Sequence, residues 1–133
     1  MALRDFARRY TEAWCSQDPA RVAAFYSPEA SLTVNDGPPA VGSAAIVNVA
    51  RSFMAAFPDM RVTMEDVVPK GEYAEYHWVL SGTNCGLGGK AHRVRISGFE
   101  RWQIGTDGLI TSSEGYFDQR EYERQLEHGL GQD

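Results

Sequence analysis

Residues that can do acid–base chemistry concentrate late in the chain, between residues 99 and 118. Glu100, Arg101, Glu114 and Asp118 lie there, within a run of aromatic and branched residues. A carboxyl group in an apolar pocket loses its hydration, so its pKa rises and it can exchange a proton near neutral pH. The stretch therefore predicts a general acid or base, provided that one of these carboxyl groups points inward.

Glu114 is the first candidate for the proton carrier, and Arg101 is its candidate polar partner. Arg101 could pair with the acid or hold a ligand carboxylate through two hydrogen bonds. A second interpretation stays open for each residue. Glu114 could be a rim or interface carboxylate, because glutamate is rarely buried without a partner. Arg101 could belong, with Arg93 and Arg95, to a stripe that faces solvent or a second subunit.

Glu100 and His77 are further candidates for contact with a ligand. Glu100 shares the strand parity of Ile96 and Trp102, so its side chain could face inward with theirs. We expect a bulge or a bend at Gly98, and a bulge would blur that parity. His77 lies among aromatic residues and could act near neutral pH, or it could be a structural or surface histidine.

Asp118 is the remaining carboxylate of this stretch, and the sequence offers a structural explanation for it. With Glu121 it fits a capping box, in which Asp118 accepts a hydrogen bond from the Glu121 amide and Glu121 reaches back. We therefore assign Asp118 to a helix cap, not to catalysis.

Composition and motif spacing exclude several other classes of function. The three His and two Cys residues are dispersed, without metal-ligand spacing. No nucleophile elbow or phosphate-cradling glycine motif is present, and we expect no cofactor. The net charge of −5 and the lack of a basic stripe argue against nucleic acid as a partner. Neither a membrane-spanning run nor a secretory segment is found, so we expect a cytoplasmic protein.

Four helices are predicted from hydrophobic periodicity and from capping residues. Apolar residues recur at helical spacing near the start of the chain. Asp18-Pro19 begins a short second helix that Pro28 ends. Ser43 is the predicted cap of the third helix, and the fourth is predicted over residues 119–128.

Alternating apolar and polar residues predict five strands, over 30–35, from Met60, and over 73–83, 92–104 and 109–117. A turn at Gly108 joins the last two as a hairpin, and residues 85–90 form a glycine-rich loop. Segregated helices and strands indicate one α+β domain over residues 1–133. We expect an antiparallel sheet from Met60 to Phe117 that curls around the helices and leaves an apolar mouth.

Several short motifs occur in an order that resembles the SnoaL-like, or polyketide cyclase-like, branch of the NTF2-like superfamily. They are Asp18-Pro19, the strand sequence WVLSGTNCG from Trp78, the DGLI turn from Asp107, and Tyr116-Phe-Asp118 followed by Arg124-Gln-Leu126. The resemblance implies a cone in which a strongly curved, mixed or antiparallel six-stranded sheet wraps around three helices from the N-terminal half. It also implies a short C-terminal helix, a conical pocket and a homodimer formed through the outer face of the sheet.

The same resemblance bears on the site residues. Similar cyclases use a His–Asp pair on the hairpin, and ungapped placement on the DGLI turn puts Arg101 and Gly115 at those positions. The cyclase pair is therefore not matched, and only a bulge would bring Glu114 into the pocket. The resemblance places Trp14 and Val49 where the family lines its pocket. Helical spacing alone would also explain most of the apolar candidates as core residues. The predicted ligand-binding residues are Tyr10, Trp14, Val49, Phe53, His77, Trp78, Glu100 and Tyr116.

The resulting hypothesis is a protein that binds a small apolar or aromatic metabolite and carries out cofactor-free acid–base catalysis. Cyclisation, isomerisation and dehydration are the reaction types that the resemblance implies. The alternative is a non-catalytic ligand-binding or dimerisation module with the same cone. An inward carboxyl group next to an open cavity would distinguish the first hypothesis from the second.

Overall fold

A computed structural model describes residues 2–84 and 91–130 of the chain. The predicted loop over residues 85–90 lies outside the described residues. The elements follow one another as α1 (Leu3–Cys15), α2 (Pro19–Ala23), β1 (Tyr26–Val34), β2 (Ala40–Val41), α3 (Ser43–Ala56), β3 (Arg61–Lys70), β4 (Tyr73–Asn84), β5 (His92–Ile104), β6 (Ile110–Phe117) and α4 (Gln119–His128).

The six strands form one sheet in the order β2-β1-β6-β5-β4-β3. Strands β3 to β6 are an antiparallel meander, as their alternating residues predict. Strand β1 pairs in parallel with β6, and β2 adds an antiparallel edge, so the sheet is mixed. This architecture confirms the α+β, NTF2-like fold that the sequence predicts.

Helix α1 packs aromatic side chains against the inner face of the sheet. The Phe6 and Tyr10 rings meet the Trp102 ring edge to face, at centroid distances of 5.6 and 5.0 Å. The Tyr76 and Trp102 rings stack at 4.8 Å. Burial of such large aromatic surfaces is the main stabilising contribution here, and edge-to-face pairs add about 0.5–1.5 kcal/mol each. None of the helices in the described part of the chain is long and apolar enough to cross a membrane.

The start of β1 corrects the sequence prediction. Helix α2 ends at Ala23, well before Pro28, and the strand begins at Tyr26 rather than at residue 30. Tyr26 is fully packed in the core, where its hydroxyl lies 2.8 Å from the Tyr10 hydroxyl. Tertiary contacts therefore override the helical spacing of this segment.

Two further local predictions are wrong. Ser43 is the first residue of α3, not its cap, and Gly42 occupies the cap position without a side-chain hydrogen bond. Gly98 pairs regularly with Trp78 and with Phe117, so there is no bulge at this position. A Cβ atom at Gly98 would overlap the Tyr116 carbonyl oxygen and the Trp78 ring, which explains the glycine by close approach.

Candidate functional site

A largely apolar cleft lies between the inner face of the sheet and helices α1 and α3. Its cavity volume is about 60 Å³, and the cleft opens to solvent at its mouth. Almost every side chain around it is aliphatic or aromatic, and the lining comprises Trp14, Leu32, Val34, Val49, Phe53, Val62, Tyr76, Trp78, Leu80, Ile96, Glu100, Gly115 and Phe117. Such a concave apolar surface with few polar groups is typical of small-molecule sites.

Glu100 is the carboxylate of this cleft, and it is 9% exposed. It lies on β5 directly opposite Gly115 of β6, whose missing side chain leaves room beside the carboxyl group. Its Oε1 atom accepts hydrogen bonds from the Trp102 indole at 2.7 Å, the Tyr10 hydroxyl at 2.9 Å and the Ser113 hydroxyl at 3.2 Å. Three elements of the fold thus hold one oxygen of one carboxyl group.

The other oxygen of Glu100 is available to a bound molecule. Among residues 2–84 and 91–130, Oε2 has no hydrogen-bond partner. In the same ranges, Trp78 Nε1 is the one fully buried side-chain nitrogen or oxygen atom that lacks a partner. Because Oε2 has no partner either but does not belong to that class, it is not fully buried, and it keeps access to the open space of the cleft.

Burial raises the pKa of Glu100, and the hydrogen bonds from Trp102, Tyr10 and Ser113 partly oppose that rise. Desolvation penalises the charged form, whereas donors that point at the oxygen favour it. No arginine, lysine or histidine of the described chain lines the cleft. A carboxyl group with a raised pKa in such surroundings is a candidate general acid or base.

Two tyrosines extend the network behind Glu100. The hydroxyl proton of Tyr10 is donated to Glu100, so Tyr26 donates to Tyr10 in the 2.8 Å contact between the two hydroxyls. Burial, and then the charge of Glu100, hold the pKa values of both tyrosines well above their ordinary range. Both residues therefore remain neutral donors when the carboxyl group ionises.

Glu114 and Arg101 lie on the opposite face of the sheet from the cleft. They face each other across β5 and β6 at 3.7 Å, with side chains 47% and 40% exposed. Arg101 also lies over the Tyr73 ring, 5.7 Å from its centroid. The expectation that Glu114 projects into the cone is therefore wrong, and the carboxyl group at the cleft is that of Glu100.

The prediction required a bulge to turn Glu114 inward, and the register shift that occurs at the start of β6 has the opposite effect. Ile110 pairs with Ile104 and is buried, so simple alternation along β6 would turn Glu114 inward as well. The pairing moves by one residue between Gln103 and Ile104, which leaves Thr111 as the extra residue of β6. Beyond it Ser113, not Glu114, faces inward.

The remaining predicted site residues divide between the two faces. Trp14, Val49, Phe53 and Trp78 line the cleft with Glu100. Tyr10 is fully buried behind Glu100 and reaches the cleft only through it.

His77 and Tyr116 are on the outer face, against Phe99. The rings of His77 and Phe99 are 5.6 Å apart, those of Phe99 and Tyr116 5.3 Å apart. His77 Nε2 lies 3.4 Å from the Glu75 carboxylate, so neither residue contacts the cleft in this arrangement.

Sequence reasoning missed Ser113, Tyr26 and the inner face of β1. Ser113 becomes identifiable only when the β5–β6 register is known. Tyr26 lies in the segment that was predicted as the second helix, so no contact with Tyr10 was expected. Within the described residues, no three His, Cys, Asp or Glu side chains come together as a metal-ligand set.

Comparisons with known proteins identify relatives of this architecture. The SnoaL-like domain matches residues 7–113 of the chain. No curated protein sequence matches the chain. A protein of ketosteroid isomerase-like fold from Catenulispora acidiphila, solved in complex with trimethylamine, has a TM-score of 0.80 at 15% identity, over 91% of each chain.

Two other solved structures are similar over most of their length. TsrD from Streptomyces laurentii has a TM-score of 0.80 at 22% identity, over 96% of each chain. The epoxide hydrolase/cyclase-like enzyme SalBIII, with a role in pyran ring formation in the polyether salinomycin, has a TM-score of 0.77 at 14% identity, over 89% of this chain and 92% of its own. At such identities these likenesses show the fold.

Proposed function

The chain belongs to the SnoaL-like family, and from this premise we propose that the cleft binds a small, mostly apolar molecule with which Glu100 exchanges a proton. The observation that carries the proposal is the placement of Glu100. One carboxylate oxygen is fixed by three donors, while the other faces an apolar cleft.

The lining of the cleft supports the apolar character of the ligand. Burial of apolar surface favours binding by about 25 cal/mol per Å², and the aliphatic and aromatic side chains around the cleft offer such surface on several sides. A ligand with many polar groups would lose hydration without gaining partners there. The orientation of the ligand in the cleft then determines which of its atoms lies within reach of the Glu100 carboxyl group.

The chemistry that follows is general acid–base catalysis without a cofactor. A carboxyl group whose pKa is raised by burial can take a proton from carbon or oxygen and return it at another atom, as cyclisation, isomerisation and dehydration require. The epoxide hydrolase/cyclase-like SalBIII has the same fold and supports this class of reaction. Tyr10, Trp102 and Ser113 would stabilise the carboxylate before it takes the proton and again after it returns it.

Binding can be tested through Trp14 and Trp78, which line the cleft. We expect small aromatic and alicyclic compounds to change the tryptophan fluorescence in a saturable manner. Val49→Phe should weaken binding because it fills the cleft. Val47→Phe is the matched control, since Val47 lies on α3 but outside the lining. Equal effects of the two changes would contradict binding in this cleft.

The catalytic role can be tested by a pair of isosteric substitutions. With an uncharged compound that is turned over, Glu100→Gln should lower kcat about a hundredfold or more and leave the dissociation constant near the wild-type value. Glu114→Gln, on the outer face, should leave both unchanged. Loss of turnover in Glu114→Gln alone would restore Glu114 as the proton carrier. Binding without turnover of any bound compound would favour the alternative, a non-catalytic module.

We also propose a homodimer through the outer face of the sheet. Aromatic side chains of three neighbouring strands, those of His77, Phe99 and Tyr116, form a row there. Tyr73 adds a ring that is 43% exposed. Aromatic residues clustered on an exposed sheet face are typical of subunit interfaces.

A further inference from the structure

We propose that the ligand of this cleft is an organic cation, a small alkylated amine whose positive charge lies against Glu100 Oε2. The inference rests on the proposed function, because it uses the same cleft and the same carboxyl group. It adds the charge and the chemical class of the molecule that binds.

The first argument is the aromatic content of the lining. Five of the side chains around the cleft are aromatic: Trp14, Phe53, Tyr76, Trp78 and Phe117. Trp14 meets Phe53, and Trp78 meets Phe117, in edge-to-face pairs with centroids 6.1 and 6.0 Å apart. The ring planes are inclined by 77° in the first pair and by 67° in the second. Ring faces carry negative potential and attract alkylammonium groups, with tryptophan the strongest of the three aromatic residues.

The second argument is the missing counter-charge of Glu100. Buried carboxylates normally have a cationic partner, because an isolated charge is costly to desolvate. Glu100 has three neutral donors on Oε1, and no cationic side chain of the described chain lies in the cleft. Three converging donors suit a carboxylate better than a carboxylic acid, since an anionic oxygen is the stronger acceptor. A bound cation at Oε2 would supply the charge that the protein does not.

An anionic ligand fits these surroundings poorly. It would meet the carboxylate and the ring faces without a basic side chain from the described chain to compensate it. A neutral ligand remains the alternative, in which a protonated Glu100 donates to an oxygen of the ligand. The two alternatives differ in what Glu100 does on binding. A bound cation favours the ionised carboxylate, so Glu100 releases its proton on binding. A neutral hydrogen-bond acceptor requires the protonated carboxyl group, so Glu100 keeps its proton.

Proton release is therefore the central measurement. The titratable groups that face Glu100 are Tyr10 from α1, Tyr26 from β1 and Tyr76 from β4. The pKa values of all three are raised above the ordinary tyrosine range, mainly by burial. Glu100 is then the group of this cluster that ionises first as the pH rises, at a pH above the ordinary range of a glutamate. Binding of a cation should become tighter as Glu100 ionises and reach a plateau once it is ionised.

The experiment compares a cation with its uncharged isostere. A hydroxyphenyl trimethylammonium ion and the matching tert-butylphenol have almost the same shape and differ in charge. We expect isothermal titration calorimetry of the wild-type protein at pH 8 to show the cation binding at least about tenfold more tightly, as for a desolvated charge pair. Titrations at lower pH in buffers of different ionisation enthalpy should show proton release with the cation but not with the phenol.

Glu100→Gln should remove this preference and the proton release, while binding of tert-butylphenol changes less than about twofold. Glu65→Gln, an exposed glutamate on β3, controls for the loss of one negative charge. Equal or tighter binding of tert-butylphenol to the wild-type protein would overturn the cation proposal and leave the proposed function intact. Absence of binding by both compounds, and by the other aromatic and alicyclic probes, would overturn the proposed function as well.

Discussion

Glu100 differs from the other acidic residues of the described chain whose pKa values are shifted. The pKa values of Asp5, Asp66 and Glu121 are lowered, in each case chiefly by a hydrogen bond from an arginine. Asp59 owes its lowered pKa mainly to hydrogen bonds from Thr83. Glu100 is the buried exception, with a pKa that is raised. Its ionisation therefore opposes folding, whereas that of the surface carboxylates favours it.

The first prediction concerns the pH dependence of stability. An acid whose folded pKa exceeds its unfolded value contributes stability below the unfolded pKa, and that contribution is lost as the pH rises through the folded pKa. Glu100→Gln cannot ionise, so the free energy of unfolding of this variant, relative to wild type, should increase from about pH 4.5 upward. The slope is about 1.4 kcal/mol per pH unit inside the window between the two pKa values.

Urea unfolding of both proteins between pH 4 and 8 measures this difference. Glu65→Gln, with an exposed side chain, should show no comparable rise. A constant difference between Glu100→Gln and wild type across this range would mean that the folded state does not shift the pKa of Glu100.

A second prediction concerns the donors behind the carboxyl group. Tyr10→Phe removes one hydrogen bond to Glu100 Oε1, so the pKa of Glu100 should rise further. Tyr26→Phe removes a donor to Tyr10, not to Glu100, and should have the smaller effect. The pKa of Glu100 in each variant can be measured by NMR of its side-chain carboxyl carbon across a pH titration. A larger shift in Tyr26→Phe than in Tyr10→Phe would contradict the order of the network.

At the scale of single residues, strand parity on β5 left an inward Glu100 open as an alternative, while Glu114 was the preferred candidate from the sequence. Glu100 keeps the inward parity of Ile96 and Trp102, since β5 runs without interruption through Gly98. The orientation of Glu114 depends on one extra residue, Thr111, whose hydroxyl donates to the Gln103 carbonyl at 3.1 Å. Nothing in the alternation of apolar residues marks that shift, because a one-residue change in register moves every following side chain to the other face.

Among the elements, long periodic segments were predicted well and short ones were not. Strand β5 and helix α4 have the bounds that the sequence predicts, residues 92–104 and 119–128. The two-residue strand β2 was not predicted, since it becomes a strand only by pairing with Ser31 and Leu32 of β1. Its formation depends on a tertiary contact that local sequence does not contain.

Helix α4 carries the third prediction. Asp118 is its N-cap, with Oδ1 accepting from the Glu121 amide at 3.1 Å. The reciprocal half of the expected capping box is not formed, because Glu121 pairs with Arg124 at 2.7 Å and accepts from Gln125. Asp118→Ala should therefore cost about 0.5–2 kcal/mol of stability through the lost cap.

Urea unfolding measures that loss, and Asp118→Asn is the matched control because it keeps a side-chain oxygen at the cap position. Ligand binding in the cleft should stay near wild type in both variants, since Asp118 does not line it. Abolished binding or turnover with unchanged stability in Asp118→Ala would make Asp118 a site residue instead.

At the scale of the whole molecule, the two faces of the sheet carry different sets of side chains. The inner face holds Glu100 and the cleft, and the outer face carries the aromatic row of His77, Phe99 and Tyr116. Arg101 and Glu114, matched across the strands, continue that outer surface. The residues first considered for catalysis thus lie where a second subunit is proposed to bind.

The fourth prediction is a homodimer that depends on this outer face. Light scattering should give twice the 14.8 kDa mass of one chain at micromolar concentration. Phe99 lies at the centre of the aromatic row, so Phe99→Asp would place a charge in the middle of the interface and weaken association at least about thirtyfold, as for a central aromatic residue. Val41→Asp is the control, because Val41 is an exposed apolar residue, 61% accessible, on the edge strand β2. A wild-type protein of 14.8 kDa mass would contradict the dimer. A Phe99→Asp variant that stays dimeric would instead place the interface elsewhere, since a buried aspartate without a partner is too costly to be accommodated at the centre of a packed aromatic surface.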